Sequence, residues 1–190
     1  MGMGRPARID RDAVLRSGLA LADELGLASV TMQAVAGRLG VTPMALYRHV
    51  GSKAELLDGL VERLLTEFPM PSPGLPWDER LTAVAQGIRR VARRHPAVFP
   101  LLLERPAATP EALRVRGGVY DALADAGVEP DEIARTERLV STAILGFAVS
   151  EVAGRFSRHS HRLLDGDFTR LLELLRACIV GPSAPSAATP

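Results

Sequence analysis

A short run of side chains between Thr42 and Lys53 is suited to binding duplex DNA. Tyr47, Arg48 and His49 are consecutive, and Lys53 follows four residues later. A guanidinium can donate to guanine O6 and N7, and a tyrosine can contact a thymine methyl group or a phosphate. An imidazole, an ammonium group and a threonine hydroxyl all suit phosphates. These residues could bind DNA if a helix presents them together.

Two short helices around a tight turn would present them, because residues 31–53 read TMQAVAGRLGVTPMALYRHVGSK. Thr31 predicts one N-cap, Gly40 predicts a turn residue with positive φ, and Thr42 predicts a second N-cap. Pro43 then stands at the first position of a helix over 43–50, where its missing N–H costs nothing. The buried side of this helix should hold Ala45, Leu46 and Val50, and the outward side Met44, Tyr47, Arg48 and His49. The pattern is typical of a helix-turn-helix recognition helix.

The stretch TPMALYRHVGSKAELL resembles the DNA-binding domain of the TetR family of transcriptional regulators. In that family the recognition helix ends in Leu-Tyr-x-His, and a Lys opens the next helix. The resemblance is strong over about residues 10–65, and it implies that Tyr47, His49 and Lys53 contact DNA. Residue chemistry adds weaker candidates. The full candidate DNA-binding set is Gln33, Thr42, Pro43, Met44, Tyr47, Arg48, His49 and Lys53.

Two other interpretations of the chain stay open at this point. Residues 31–53 could be two surface helices of an all-α domain, and the chain could be a helical ligand-binding or catalytic bundle whose resemblance is incidental. His159 and His161 form a close pair near Asp165 and Asp167, but the arginines around them favour a solvated basic loop over a metal site. No glycine-rich phosphate loop or nucleophile elbow is present. We therefore expect no enzyme, no cofactor and no metal site.

Composition favours a helical protein with a packed core. The chain has 190 residues, 47% of them hydrophobic, and a net charge of only +1. Cys178 is the single cysteine, which excludes an intramolecular disulfide, and its apolar neighbours predict a small core residue. Residues 1–8 lack the apolar segment of a signal peptide, and no apolar run reaches the ~20 residues of a membrane span. We expect a cytoplasmic protein.

The first domain is predicted to cover residues 1–68. Residues 1–9 form a basic arm, and Asp10 caps a helix that Gly26 ends. Ser52 and Glu55 form a capping box at the start of a further helix that runs to Phe68. Prolines then mark a linker over 69–76.

The second domain is predicted to be a helical effector-binding and dimerisation domain over 77–180, so the whole fold is all-α. Its helices should cover about 78–94, 98–103, 109–127 (weakened or kinked at Gly117-Gly118), 131–156 and a last stripe over 164–179. Residues 181–190 have the composition of a disordered tail. The final two helices are too apolar for one small domain to cover. They are either central in the monomer or, as the resemblance implies, form a four-helix interface in a homodimer.

The effector is expected to be a largely apolar small molecule. Residues 101–106, LLLERP, resemble the segment of the tetracycline repressors that carries a metal-binding His, but this chain has Leu101 there. Ser150 stands where those proteins carry a pocket carboxylate, so a magnesium–tetracycline chelate is not expected. The candidate pocket residues, which could equally be core residues, are Leu101, Leu102, Glu104, Phe147 and Glu151.

The resemblance implies a ligand-responsive regulator, a repressor, that binds a pseudo-palindromic operator as a homodimer. The residues themselves leave open whether it represses or activates. They also leave open whether one or two dimers bind each operator, and which operator and effector it recognises.

Overall fold

The computed structural model describes residues 9–105 and 109–180, and within them every regular element is a helix. The all-α prediction is confirmed. The predicted arm, apart from residue 9, and the predicted tail lie outside the described residues. The helices are α1 (Arg11–Leu25), α2 (Met32–Leu39), α3 (Pro43–Tyr47), α4 (Lys53–Thr66), α5 (Trp77–Arg94), α6 (Leu101–Glu104), α7 (Pro110–Asp125), α8 (Ile133–Val152) and α9 (His161–Val180).

The described residues divide into two compact units. One unit comprises residues 9–66 and 94–105, and the other comprises 67–93 and 109–180. The domain bounds expected from the sequence stay a prediction. The structure adds that residues 94–105, which follow α5 in the chain, pack with the first unit.

Local hydrogen bonds explain where the helices of the first unit begin. The Asp10 carboxylate accepts from the Ala13 N–H at 2.7 Å, and the Thr31 hydroxyl oxygen accepts from the Ala34 N–H at 3.0 Å. The Ser52 hydroxyl oxygen accepts from the third residue of α4 at 3.1 Å. These three predicted caps are therefore confirmed, and each satisfies a backbone donor that a helix start leaves without a partner.

Glycine allows α1 and α4 to approach closely. A Cβ at Gly59 would lie 2.5 Å from a methyl group of Leu15, so a larger residue at this position of α4 would displace the Leu15 side chain on α1. Leu56, Leu60 and Leu64 follow the same side of α4 and are fully buried. Close apolar packing between α1 and α4 thus helps to hold the first unit together.

Residues 94–105 are docked on the same two helices. His95 is buried, and its Nδ1 lies 2.9 Å from a carboxylate oxygen of Asp23 on α1. Arg105 donates to the Ala54 carbonyl at 3.2 Å and pairs with Asp58, both on α4. Polar contacts therefore fix both ends of this segment, whose middle is apolar and buried at Val98 and Phe99.

The second unit is built around a buried ion cluster. Glu151 on α8, with a side chain only 6% exposed, accepts from Arg89 Nε at 2.7 Å and Nη2 at 2.9 Å. Arg93 donates to the same carboxylate at 2.7 Å. The Arg89 guanidinium also lies 4.7 Å from the centroid of the Phe168 ring, close enough for a cation–π contact. The cluster links α5, α8 and α9.

The structure corrects some helix details of the second unit. Helix α7 continues through Gly117-Gly118, and the weakening or kink expected there stays a prediction. Gly118 leaves room for Met70, because a Cβ there would lie 2.6 Å from the Met70 methyl group. Helix α8 is shorter at both ends than the predicted 131–156, since its helical residues are Ile133–Val152.

The outer faces of α8 and α9 are left uncovered by the residues that the structure describes. Leu139 is 65% exposed, and Leu163 and Leu174 are about half exposed. Cys178 is also exposed, so its prediction as a core residue is wrong. It lies one turn beyond Leu174 on the same side of α9, a side that no described residue covers. These exposures favour helix faces that a second copy covers over helices that are central in the monomer.

Among the described residues, no helix combines the length and the apolar content that a bilayer crossing requires.

Replacing Glu151 by Gln should lower the free energy of unfolding by about 3 kcal/mol at neutral pH, because Arg89 would stay buried without its main counter-ion. Desolvation raises the pKa of Glu151, but hydrogen bonds from Arg89 and Arg93 outweigh it and leave the pKa below its ordinary value. The contribution of Glu151 to the free energy of unfolding is therefore complete above the pKa that this carboxyl has in the unfolded chain. It is lost as the pH falls through the lower pKa of Glu151 in the folded protein.

Urea unfolding of the wild type and the Glu151→Gln variant at pH 7 and at about pH 3.5 measures this difference. The matched control is Glu173→Gln, which breaks an exposed pair with Arg170 and should change little. Equal stability of wild type and Glu151→Gln at pH 7 would contradict the assignment.

Candidate nucleic-acid interface

The turn between α2 and α3 has the geometry that the sequence predicts. Gly40 adopts φ 69° and ψ 32°, a left-handed conformation that a glycine tolerates without a Cβ penalty. Its N–H donates to the Gly37 carbonyl at 3.2 Å, and the Val41 N–H donates to the Ala36 carbonyl at 3.0 Å. These bonds satisfy the last carbonyls of α2 and turn the chain sharply into α3.

Helix α3 is shorter than predicted, because it ends at Tyr47 instead of Val50. The N–H groups of His49 and Val50 both converge on the Leu46 carbonyl, at 2.8 and 3.0 Å. This tight turn replaces the last helical residues and brings Val50 into the core, where it is 2% exposed. The correction leaves the predicted buried side intact, since Leu46 is fully buried and Ala45 half-buried.

The opposite side of α3 is open to solvent. Met44 is 72% exposed and Tyr47 45% exposed. Thr42, Pro43 and Arg48 are exposed, and His49 is half-buried. Gln33 in the first turn of α2 and Lys53 at the start of α4 are exposed as well. The structure therefore leaves all eight predicted DNA-binding residues at least partly accessible within the first unit.

The polar side chains among the predicted DNA-binding residues have no hydrogen-bond or ion-pair partner within the described residues. None of the side chains of Gln33, Thr42, Tyr47, Arg48, His49 and Lys53 forms a hydrogen bond or an ion pair with another described residue. Thr42 precedes α3 as expected, but its hydroxyl makes no capping bond, so that part of the prediction is wrong. Pro43 has no N–H, and the Thr42 hydroxyl stays available for an external partner.

Other arginines of the first unit are neutralised by acidic neighbours. Arg38 on α2 forms a two-point ion pair with Glu24 on α1, and the hydrogen bond from Arg38 lowers the pKa of Glu24. Arg11 pairs with Glu62 at 2.9 Å, and Arg63 pairs with Asp12. Unpaired cationic side chains are thus found at Arg48 and Lys53, which flank the turn after α3. That arrangement suits a polyanion.

The predicted effector-pocket residues fall in two places. Leu101, Leu102 and Glu104 belong to α6 in the first unit, where only Leu101 is buried. Phe147 and Glu151 lie together on α8 in the second unit, around Arg89. The pocket assignment stays a prediction.

Sequence reasoning missed Arg89 and Arg93 as the partners of Glu151. The available signal was a pair of arginines four residues apart on α5, one of them beside the apolar residues Ile88 and Val91.

His159 and His161 are exposed. In the part of the chain that the structure describes, no three His, Cys, Asp or Glu side chains are grouped so as to hold a metal ion.

Two family models match this chain. Residues 14–60 match "Bacterial regulatory proteins, tetR family", and residues 70–177, more than half of the chain, match "Tetracyclin repressor-like, C-terminal domain". The chain belongs to the tetR family. The descriptions of both models agree with the prediction of a transcriptional regulator.

Named relatives agree with this family. An HTH-type transcriptional regulator of Saccharopolyspora erythraea is 30% identical over 170 residues, which cover 89% of this chain and 70% of the relative. The HTH-type transcriptional repressor DrrR1 of Streptomyces coeruleorubidus is 28% identical over 173 residues, which cover 87% of this chain. This chain spans only 64% of the length of that repressor.

Solved structures of this tetR family share the fold. The TetR family protein ActR of Streptomyces coelicolor, in complex with (S)-DNPA, has a TM-score of 0.79 at 23% identity, over 92% of this chain and 98% of that chain. BioQ with its double-stranded DNA operator has a TM-score of 0.72 at 24% identity, over 92% of this chain and 100% of that chain.

Proposed function

We propose that this tetR-family chain is a cytoplasmic, ligand-responsive repressor that binds a pseudo-palindromic DNA operator as a homodimer. The observation that carries the proposal is the outward side of α3. Its polar side chains are accessible and have no partner among the described residues, while Leu46 and Val50 hold the helix from behind. A protein surface that keeps donors uncommitted on a rigid helix is suited to an external polar ligand.

Each side chain of this surface is assigned a role in DNA binding. Helix α3 enters the major groove, where Arg48 donates to guanine O6 and N7. Tyr47 contacts a phosphate or a thymine methyl group, and Pro43 and Met44 supply apolar contacts to base edges. Thr42, His49 and Lys53 bind the phosphate backbone and so fix the register of α3 on the duplex, and Gln33 contacts a phosphate or a base.

The uncovered faces of α8 and α9 support a homodimer. Exposed leucines at 139, 163 and 174 form apolar surface that the same helices of a second copy would cover. A five-residue recognition helix contacts too few bases for high affinity alone. Two copies related by a two-fold axis would meet half-sites about 34–36 Å apart.

The relatives support the regulatory part of the proposal. DrrR1 is named a repressor, BioQ is bound to a DNA operator, and ActR is bound to a small molecule. We extend these properties to this chain because its α3 surface and its helical second unit provide a place for each of them.

The proposal predicts a division of labour between Lys53 and Arg48. Lys53→Ala should weaken binding to all duplexes alike and reduce the slope of log affinity against log salt by about one, because one phosphate contact is lost. Arg48→Ala should relax preference at one base pair in each half-site and cost about 1–3 kcal/mol there. Titration of operator and scrambled duplexes over a range of salt concentrations measures both.

The matched control is Arg38→Ala, because Arg38 is already paired with Glu24 in the same unit. It should leave both sequence preference and salt dependence near the wild-type values. A change of sequence preference in Lys53→Ala with an unaltered salt slope would show that Lys53 does not bind phosphate.

Regulation is proposed to pass through the segment 94–105. This segment lies in the chain between α5 and α7 of the second unit, yet it packs on α1 and α4 of the first. A ligand that moves α5 or α7 would therefore pull on Arg105 and His95, which hold α4 and α1. Helix α4 starts directly after the recognition turn, so its tilt would alter the spacing of the two α3 helices in the dimer.

Saturating ligand is expected to weaken operator binding by about 5–150-fold, and DNA must weaken the ligand by the same factor. Arg105→Ala should reduce this factor because it removes the contacts with Ala54 and Asp58. Its ligand affinity without DNA should stay unchanged. Fluorescence anisotropy of operator binding, with and without a ligand of the second unit, measures the factor. Unchanged operator affinity of the wild type under saturating ligand would leave the second unit as a dimerisation unit only.

A further inference from the structure

A cavity of about 270 Å³ lies between α5 and α9, wholly within the second unit. This volume lies just below the roughly 300 Å³ at which ordinary small-molecule pockets begin, so the cavity suits only a small ligand. The residues that line it come from one face of α5 and one side of α9: Gln86, Arg89, Arg90, Arg93, Asp165, Phe168, Thr169 and Leu172.

The cavity carries an excess of one positive charge. Arg89 and Arg93 are balanced by Glu151 beneath them and by Asp165 at the rim. Arg90, one of the three arginines that line the cavity, forms no ion pair or hydrogen bond with a described residue. Gln86, four residues earlier on the same face of α5, has an uncommitted amide as well. The cavity therefore offers free donors and an unbalanced guanidinium.

The contacts of Asp165 show what kind of group binds to these arginines. Its Oδ1 lies 3.0 Å from Arg89 Nη1 and 2.8 Å from Arg93 Nη2, so a carboxylate oxygen already bridges the two guanidinium groups. The Asp165 side chain is 56% exposed, so water already screens its pairing with the two arginines. Arg89 itself is buried and held by Glu151, so its position does not depend on Asp165.

We propose that this cavity binds a small organic carboxylate. The ligand carboxylate takes the place of Asp165 and accepts hydrogen bonds from Arg90 and Arg93, while its apolar part lies against Leu172 and Phe168. Planar carboxylates suit guanidinium donors because two parallel hydrogen bonds can form. Binding at this cavity does not require DNA, so this proposal can be tested separately from the proposed operator binding.

Isothermal titration of the full-length chain tests the site with four probes, namely benzoate, octanoate, benzamide and inorganic phosphate. Saturable millimolar binding of benzoate or octanoate is expected, with none of the uncharged benzamide. Arg90→Ala should weaken carboxylate binding about tenfold, since a charge-assisted hydrogen bond is lost. Asp165→Asn should strengthen it, because a competing internal carboxylate is removed. A merely structural role for Asp165 would give the opposite sign or no change.

Arg116→Ala is the matched control, because Arg116 is an exposed arginine of α7 that does not line the cavity. It should bind the carboxylates like the wild type. Arg90 is exposed and unpaired, so its removal should leave the thermal unfolding midpoint unchanged and the comparison interpretable.

Three results would overturn the proposal. The first is no saturable carboxylate binding to the wild type. The second is equal affinity of the wild type and Arg90→Ala. The third is phosphate binding as tight as that of both carboxylates with the same dependence on Arg90, which would assign the cavity to an inorganic oxyanion instead.

Discussion

The burial of Leu46 is the contact on which the DNA-facing surface depends. A helix of five residues has no stability of its own in water, because nucleating a helix costs more than one turn of hydrogen bonds returns. Burying a leucine contributes about 1.5–3 kcal/mol, and Val50 adds a second buried side chain after the tight turn. With its back fixed in this way, α3 can expose Met44, Tyr47 and Arg48 without losing its position.

The distribution of ion pairs then determines where the first unit can attract a polyanion. The net charge of +1 gives no such information. Arg11, Arg38 and Arg63 are each paired with a carboxylate, whereas Arg48 and Lys53 are unpaired on either side of the same turn. The positive potential of this unit is thus concentrated where the recognition helix ends. In the second unit the same reasoning identifies Arg90, whose neighbours on α5 already share two carboxylates.

Local signals in the sequence predicted the features that depend on local chemistry. The caps at Asp10, Thr31 and Ser52, and the left-handed Gly40, were predicted because a cap is decided within about three residues. The two sides of α3 follow from helical periodicity. The end of α3 was placed too late because the convergence of two N–H groups on the Leu46 carbonyl has no sequence signature.

Contacts between distant parts of the chain could not be read from the sequence. Arg89 and Glu151 are 62 residues apart, and His95 and Asp23 are 72 apart, so no periodic pattern connects them. Cys178 was expected in the core because its neighbours are apolar. Cys178 instead lies on a helix face that the described residues leave exposed. Composition does not distinguish a face that is buried in the monomer from one that a second copy would bury.

The central claim is that a pair of α3 helices, presented by a homodimer, recognises a symmetric operator. Selection of bound duplexes from a random library by the full-length chain tests it most directly, together with the mass of the complex by light scattering. The account predicts two inverted half-sites with centres about 34–36 Å apart and an even number of chains per duplex. A single unrepeated half-site bound by one chain would contradict it.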